Sequence, residues 1–516
     1  MSGRKPTAAV ALVAVLAMAV PATAMTRTWD GPLGGMWKEN NHWTPYGYPM
    51  PGDDVVLNAD TEEILISFHG APGPGINTLT VPATSVNETG LERWTTEWVV
   101  MNVSGAVTNH SNLYMEDLGI AAAQIDNRGR LELCGMEVET DLLNQGTLIT
   151  WAADLEGNVT CTEGALWRLG AWADLWKHDD GSGGNLTNHG RLWFYGSSRL
   201  TAEGSLNNGA TGTVQGDASS IQVFGGVTNE GLVRSYGGDL AVHCDGSAFS
   251  NATTGQVTNM AGTTLSILAD TMNQRGTITV RSDGAVNLDG VDLVNQPGAA
   301  VHLLGGTLSA PNVTHHDGAV FQGFGSIDLP ADGGGFGTLT NQGHMEFVAD
   351  TRVVGHLHNQ TGATVNGRNG DLTVLGDLTN AGELVWTNGG VYCEGTWTGA
   401  GVLTLAGEQV KAVNGALTVD PGGVMNVTGT GPTNLYADID CAGTMTVGDG
   451  ATAVCLGTLG GAVDTLTIAG GTTPTGTLDL TENNLVLDYD PGASPFGDVE
   501  AWVVSGYNGG TWDGTG

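Results

Sequence analysis

An asparagine followed after a short gap by a glycine recurs along this chain about every twenty residues, and that regularity commits the chain to a repeat architecture. The tight form Asn-x-Gly occurs at Asn127, Asn144, Asn188, Asn229, Asn341 and Asn380, and a form one residue longer at Asn273, Asn295 and Asn359. Asn208 and Asn251 precede looser gaps that close at Gly212 and Gly255. From Asn109, which lacks the glycine, the steps are 18, 17, 44, 20, 21, 22, 22, 22, 46, 18 and 21. Each doubled step holds a degenerate copy: Val159-Thr160-Cys161-Thr162-Glu163-Gly164 in the first and Val313-Thr314-His315-His316-Asp317-Gly318 in the second. A later copy, Ile439-Asp440-Cys441-Ala442-Gly443, again carries cysteine at the asparagine position.

After the glycine, apolar residues return at every second position, as in Leu131 and Leu133, Leu192 and Phe194, Met345 and Phe347, or Leu384 and Trp386. Alternation of that kind marks a strand with one buried face, and each interval has room for two or three strands. Continuous helical periodicity is absent. The expected fold is all-β, a parallel β-helix solenoid with rungs of roughly 22 residues and an asparagine ladder at one turn. Asparagine suits such a turn because it tolerates the left-handed backbone region and caps through its side-chain amide. Stacked turns ~4.8 Å apart would let those amides form a ladder, and roughly 20 rungs would make a rod of about 100 Å. A β-propeller needs blades of ~40 residues, about twice the interval seen here.

The first residues combine Arg4 and Lys5, an apolar run from Ala8 to Val20 and the small-residue exit Ala22-Thr23-Ala24. This reads as a secretory signal peptide over 1–24, giving a secreted or cell-surface protein, since the run is short of the ~20 residues a membrane span needs. A Trp-rich cap over 25–60, repeats over 61–485 with an irregular insertion near 165–184, and a tail over 486–516 complete the expected organisation. The formal net charge is −37, which disfavours a nucleic-acid partner, because phosphate binding needs basic clusters. Six cysteines without a C-x-x-C pair argue against zinc, and sequence proximity favours Cys134 with Cys161 and Cys441 with Cys455 as disulfides.

The mature start carries Gly35-Met36-Trp37, then Asn41-His42-Trp43-Thr44-Pro45, then Pro51-Gly52-Asp53-Asp54-Val55. It resembles the entry segment of secreted bacterial β-helix proteins of the autotransporter-passenger type, where G-x-W, N-W-x-P and P-G-D-x-V lead into the rungs; His42 interrupts the N-W pair. Asp53 and Asp54 read as a turn before the strand Val55–Leu57. The segment Gly497-Asp498-Val499-Glu500 and the run Ser505 to Gly514 resemble a tail of large exported proteins that continue into a dockerin or a PEP-CTERM-type sorting signal. The chain would then stop inside that motif. The resemblance implies an extracellular setting and no particular activity.

The least repeat-like stretch holds Trp167, Trp172, Trp176, Lys177, His178, Asp179 and Asp180. Exposed tryptophans stack on sugar faces, so Trp167, Trp172, Trp176, His178, Asp179 and Asp180 form the candidate glycan patch. His315, His316 and Asp317 are a weak metal candidate, since neighbours on a strand point to opposite faces. No catalytic motif and no cofactor signature is present, and no acid pair one rung apart stands out with an accompanying Arg or Lys. The expected function is an extracellular structural or adhesive rod without catalysis, with extracellular polysaccharide or cell-surface components as partners. The alternative is a polysaccharide lyase or glycosidase on the same fold.

Overall fold

The computed structural model describes residues 25–29, 34–57, 64–68, 75–83, 88–93, 100–178, 181–331, 333–409, 411–460, 462–489, 492–511 and 514. The expected signal peptide lies outside them. The chain is a parallel β-solenoid, 59% strand and 4% helix, with about 19 turns of ~21 residues. A turn lays strand on each of three faces, in many turns with one long strand running across two of them, and the strands pair in parallel with their counterparts one turn on, except that Trp43–Thr44 pairs antiparallel with Thr26–Trp29. The turn with Leu186–Asn188, Arg191–Phe194 and Arg199–Ala202 shows the scheme. These three strands pair in register with Leu206–Asn208, Thr213–Gly216 and Ser219–Val223. We call them the first, second and third face.

Alternation then dictates the core. Leu186, Leu192, Phe194, Leu200 and Ala202 point inward and are fully buried, stacked beneath Leu206, Val214, Ile221 and Val223. Fully burying one such side chain contributes roughly 1.5–3 kcal/mol, and the stack repeats that contribution turn after turn.

From Asn109 to Asn380 the last residue of each first-face strand also points inward, and in every turn but that of Cys161 it is polar; outside that stretch the position holds Val81, Gly399, Val419 and Cys441. Asn109, Asn127, Asn144, Asn188, Asn208, Asn229, Asn251, Asn295, Asn341 and Asn359 are buried, with Asn380 nearly so. Asn127 Nδ2 donates to Asn144 Oδ1 at 2.7 Å and to the Thr147 carbonyl at 3.0 Å. Asn208 repeats the pattern toward Asn229 Oδ1 at 2.7 Å and the Leu232 carbonyl at 3.2 Å, and Asn341 toward Asn359 Oδ1 at 2.8 Å and the Thr364 carbonyl at 3.0 Å. Each amide thus donates up the rod, to the next amide and to the backbone just past the next glycine.

Several expectations change. None of these asparagines has a positive φ, so they are chosen for an inward amide at the end of a strand and not for left-handed tolerance. The following glycine answers close stacking: a Cβ on Gly129 would lie 1.9 Å from the Ser111 carbonyl oxygen, and on Gly146 2.1 Å from that of Gly129. Asn273 is not in the ladder. It pairs with Ser250 and faces solvent, while Gln274 stands opposite Asn251 and accepts from its Nδ2 at 2.8 Å. Within the expected insertion at 165–184 lies a strand, Leu166–Trp176, that pairs in parallel with the turns on either side with one register shift, and Lys177 bridges Gly183 beyond it. The six cysteines are free thiols. Cys134 stands on the second face beside Ala152, whereas Cys161 stands in the ladder between Asn144 and Asn188, so the expected pair falls on different faces. Cys441 and Cys455 likewise pair with separate strands, beside Val419 and Leu435.

Aromatic residues cover both ends. Trp29, Trp37 and Trp43 are buried, with Trp43 edge-on to the other two at 5.0 and 5.1 Å. Asp53 is more than a turn residue, for it is buried, ion-paired to Arg27, and accepts from the backbone N–H of Met50 at 2.9 Å and Met25 at 3.1 Å. Burial alone would raise its pKa, but the hydrogen bonds and the Arg27 guanidinium hold the carboxyl below its usual range. At the other end the tail sequence forms an α-helix, Phe496–Tyr507, which the sequence pattern did not foretell. Its Trp502 is buried and donates to the Gly471 carbonyl at 2.9 Å.

The ladder has exceptions, and they are informative. Cys161 offers only sulfur to Asn144 Nδ2, at 3.7 Å, and has no amide to pass on; accordingly Asn188 Oδ1, one turn up, is buried without a partner. Gln274 Nε2 reaches only carbonyls of Gly276 and Ala300, and Asn295 Oδ1 is orphaned in the same way. His315 takes the asparagine position with both nitrogens engaged, Nδ1 at 3.1 Å from Asn295 Nδ2 and Nε2 at 3.0 Å from the His344 carbonyl. An amide donor on one side and a carbonyl on the other require the neutral Nε2–H tautomer.

Two predictions follow from these breaks. Cys161→Asn gives Asn188 Oδ1 its missing donor and is expected to stabilise the chain by about 1 kcal/mol in urea unfolding, whereas Cys161→Ala is expected to destabilise it. Burial depresses the His315 pKa, so the unfolded chain binds a proton that the folded chain refuses. Its contribution to stability is present above the usual histidine value of 6.5 and is lost as pH falls below it. Urea midpoints between pH 7 and 5 should therefore fall further for the wild type than for His315→Asn.

Candidate functional site

The alternation that builds the core also splits the candidate aromatic patch. Along Leu166–Trp176 the odd-numbered residues Trp167, Leu169, Ala173 and Leu175 point inward, and the even-numbered Trp172 and Trp176 point out. Trp167 is fully buried between Leu148 and Leu192 and donates to Thr150 Oγ1 at 3.1 Å, so it is core and not contact surface. Trp172 and Trp176 are exposed on the third face. Trp176 donates to Asp154 Oδ1 at 3.1 Å, which fixes its ring against the sheet. His178 lies 3.4 Å from Glu156. Asp179 and Asp180 lie outside the described residues. Two of the six candidates therefore present open rings, with His178 beside them.

Sequence spacing missed a carboxylate column on the same face. Glu137, Asp154 and Asp174 stand in register on three consecutive turns. Arg199, one turn further, lies 3.3 Å from Asp174. The first step, 17 residues, equals that from Asn127 to Asn144, but the second, 20, is three longer than that from Asn144 to Cys161, so phasing against the ladder reveals Glu137 and Asp154 but not Asp174. The column occupies outward positions of a continuous sheet. The ion pair with Arg199 and the Trp176 hydrogen bond engage two of its three carboxylates.

His315 cannot serve as a metal ligand in this arrangement, because the ladder uses both of its nitrogens. Among the described residues no group of three or more His, Cys, Asp or Glu is placed to hold a metal ion. The buried thiols are equally unsuited to chemistry: burial pushes Cys161 and Cys244 up to about 12. A groove lies between the last turns and the terminal helix, lined by Leu466, Leu478, Leu480, Leu487, Val499 and Trp502. It continues the hydrophobic core where the stack ends.

No family model matches the chain. It is similar to the deoxyribonuclease CdiA of Dickeya dadantii (strain 3937), 27% identical over 405 residues, which is 74% of this chain and 11% of that protein. The chain thus spans about a tenth of the length of the much longer relative it matches.

Proposed function

We propose that this chain is a rod of an exported bacterial cell-surface protein, with a structural or adhesive role and no catalysis of its own. The observation that supports this most is the long stack: about 19 turns share one core, and among the described residues no strand departs from it to build a cleft. At ~4.8 Å per turn such a stack is roughly 90 Å long, a suitable spacer between a cell surface and whatever the rod meets.

Two further features support the reading. The similarity to CdiA covers most of this chain but a small part of that protein, as expected when a rod is one portion of a larger molecule. The deoxyribonuclease activity in that relative's name is not carried over, and the net charge of −37 opposes a nucleic-acid partner. The basic start and apolar run of residues 1–24 supply an export signal. Among the described residues no helix is long and apolar enough to cross a membrane. Trp172 and Trp176 offer rings to extracellular polysaccharide or to cell-surface glycans.

Incubating the purified chain with a panel of uronate and neutral polysaccharides tests this. Retention on a polysaccharide with no new chain ends is the expected result. Release of reducing ends or unsaturated sugars would overturn it in favour of a lyase or glycosidase, with the Glu137, Asp154 and Asp174 column as the place to look.

A further inference from the structure

Arginine is scarce here, 13 in 516 residues, and where it occurs near a carboxylate it is paired: Arg27 with Asp53, Arg128 with Asp126, Arg130 with Glu132, Arg199 with Asp174, Arg368 with Glu346. Arg275, Arg281 and Arg352 have no ion pair among the described residues, and three arginines on the second face differ from these as well. Arg168, Arg191 and Arg234 have no carboxylate partner among the described residues and lie instead against aromatic rings. The guanidinium carbons of Arg168 and Arg191 lie 5.3 and 4.7 Å from the Trp193 ring centroid, and that of Arg234 lies 5.2 Å from Tyr236.

The fold lines these residues up. Arg168, Trp193, Gln215 and Arg234 occupy one outward column on four consecutive turns, and Arg191 stands two residues before Trp193 on the same strand. The column runs about 14 Å from Arg168 to Arg234 at ~4.8 Å per turn. Gln215 Oε1 accepts from Arg234 Nη2 at 2.8 Å, which steadies that side chain without neutralising it. Arg191 Nε is buried with no acceptor. Tyr195 and Tyr236, 54% and 41% exposed, flank the column.

Such an arrangement is costly. Burial and the repulsion of Arg191 and Arg281 lower the Arg234 pKa, so like charges are held together in a chain that is otherwise strongly acidic. Guanidinium forks stacked on rings remain free to grip carboxylates bidentately, and open tyrosine rings suit the apolar faces of sugars. We propose that Arg168, Arg191 and Arg234, with Trp193, Tyr195 and Tyr236, form a binding strip for an acidic polysaccharide, a chain of uronate units laid along the rod. Nucleic acid fits less well, because its backbone carries a charge every ~1.7 Å and the surrounding net charge of −37 would repel it. The proposal rests on the adhesive reading for its extracellular setting only.

The test uses the full mature chain on immobilised polygalacturonate, methyl-esterified polygalacturonate, dextran and duplex DNA. Expected is retention on polygalacturonate that weakens with salt, with little on the methyl ester or dextran. Arg191→Gln/Arg234→Gln should weaken it at least tenfold, and Arg168→Gln, at an exposed position, should weaken it severalfold with an unchanged thermal melt. Arg368→Gln, on the same face but paired to Glu346, should bind as the wild type does. Failure to retain polygalacturonate, retention insensitive to Arg168→Gln, or preference for DNA would overturn the strip. Retention of another polysaccharide in the first case would leave the adhesive reading standing.

Discussion

The rod depends on a column of primary amides buried beside its hydrophobic core. An inward polar group costs free energy unless its hydrogen bonds are met, and one amide alone could not meet them there. A stack can, because asparagine carries donor and acceptor on the same planar group and the repeat brings an identical group within reach above and below. Asn208 illustrates the closure: it accepts from Asn188 at 2.8 Å and donates to Asn229 at 2.7 Å. The interaction also acts against register slips. A slip of one residue would expose the apolar set and bury a polar neighbour such as Asn207 or Thr228 in the amide's place.

Much else follows from that column. The amide also holds the backbone just beyond the next glycine, so it clamps the bend that leads from the first face to the second. The bend packs so closely on its predecessor that a side chain on Gly129 or Gly146 would strike backbone oxygen. With the bends clamped, the outward positions of the second and third faces become straight columns. The Glu137, Asp154 and Asp174 column and the Arg168, Trp193 and Arg234 column are products of register, since their members lie too far apart in sequence to be neighbours otherwise.

The fold was legible in the sequence because one position per turn tolerates few residues and the bend after it closes on a glycine or, as at Ala165, Ala299 and Ala363, an alanine. The breaks were legible as well: Cys161 and His315 occupy ladder positions that the spacing marks. Asn273 misled because Gln274 beside it can make the same bond to Asn251, and only the neighbouring strands decide which side chain faces inward. Trp167 misled because composition groups tryptophans that strand alternation separates; reading parity through Leu169, Ala173 and Leu175 places it in the core. The arginine strip was not legible, since neither arginine nor aromatic residues repeat at a fixed spacing. The terminal helix was obscured by its glycines and by the weak amphipathic pattern around Trp502.

The amides themselves give the most direct test of the account. In a chain labelled with nitrogen-15 at asparagine, the side-chain NH2 signals of Asn127, Asn208, Asn229 and Asn359 should resist exchange with heavy water for hours, while those of surface residues such as Asn207 and Asn273 exchange at once. Equal and rapid exchange of both groups would show that no buried amide column exists, and the account of the rod would fall with it.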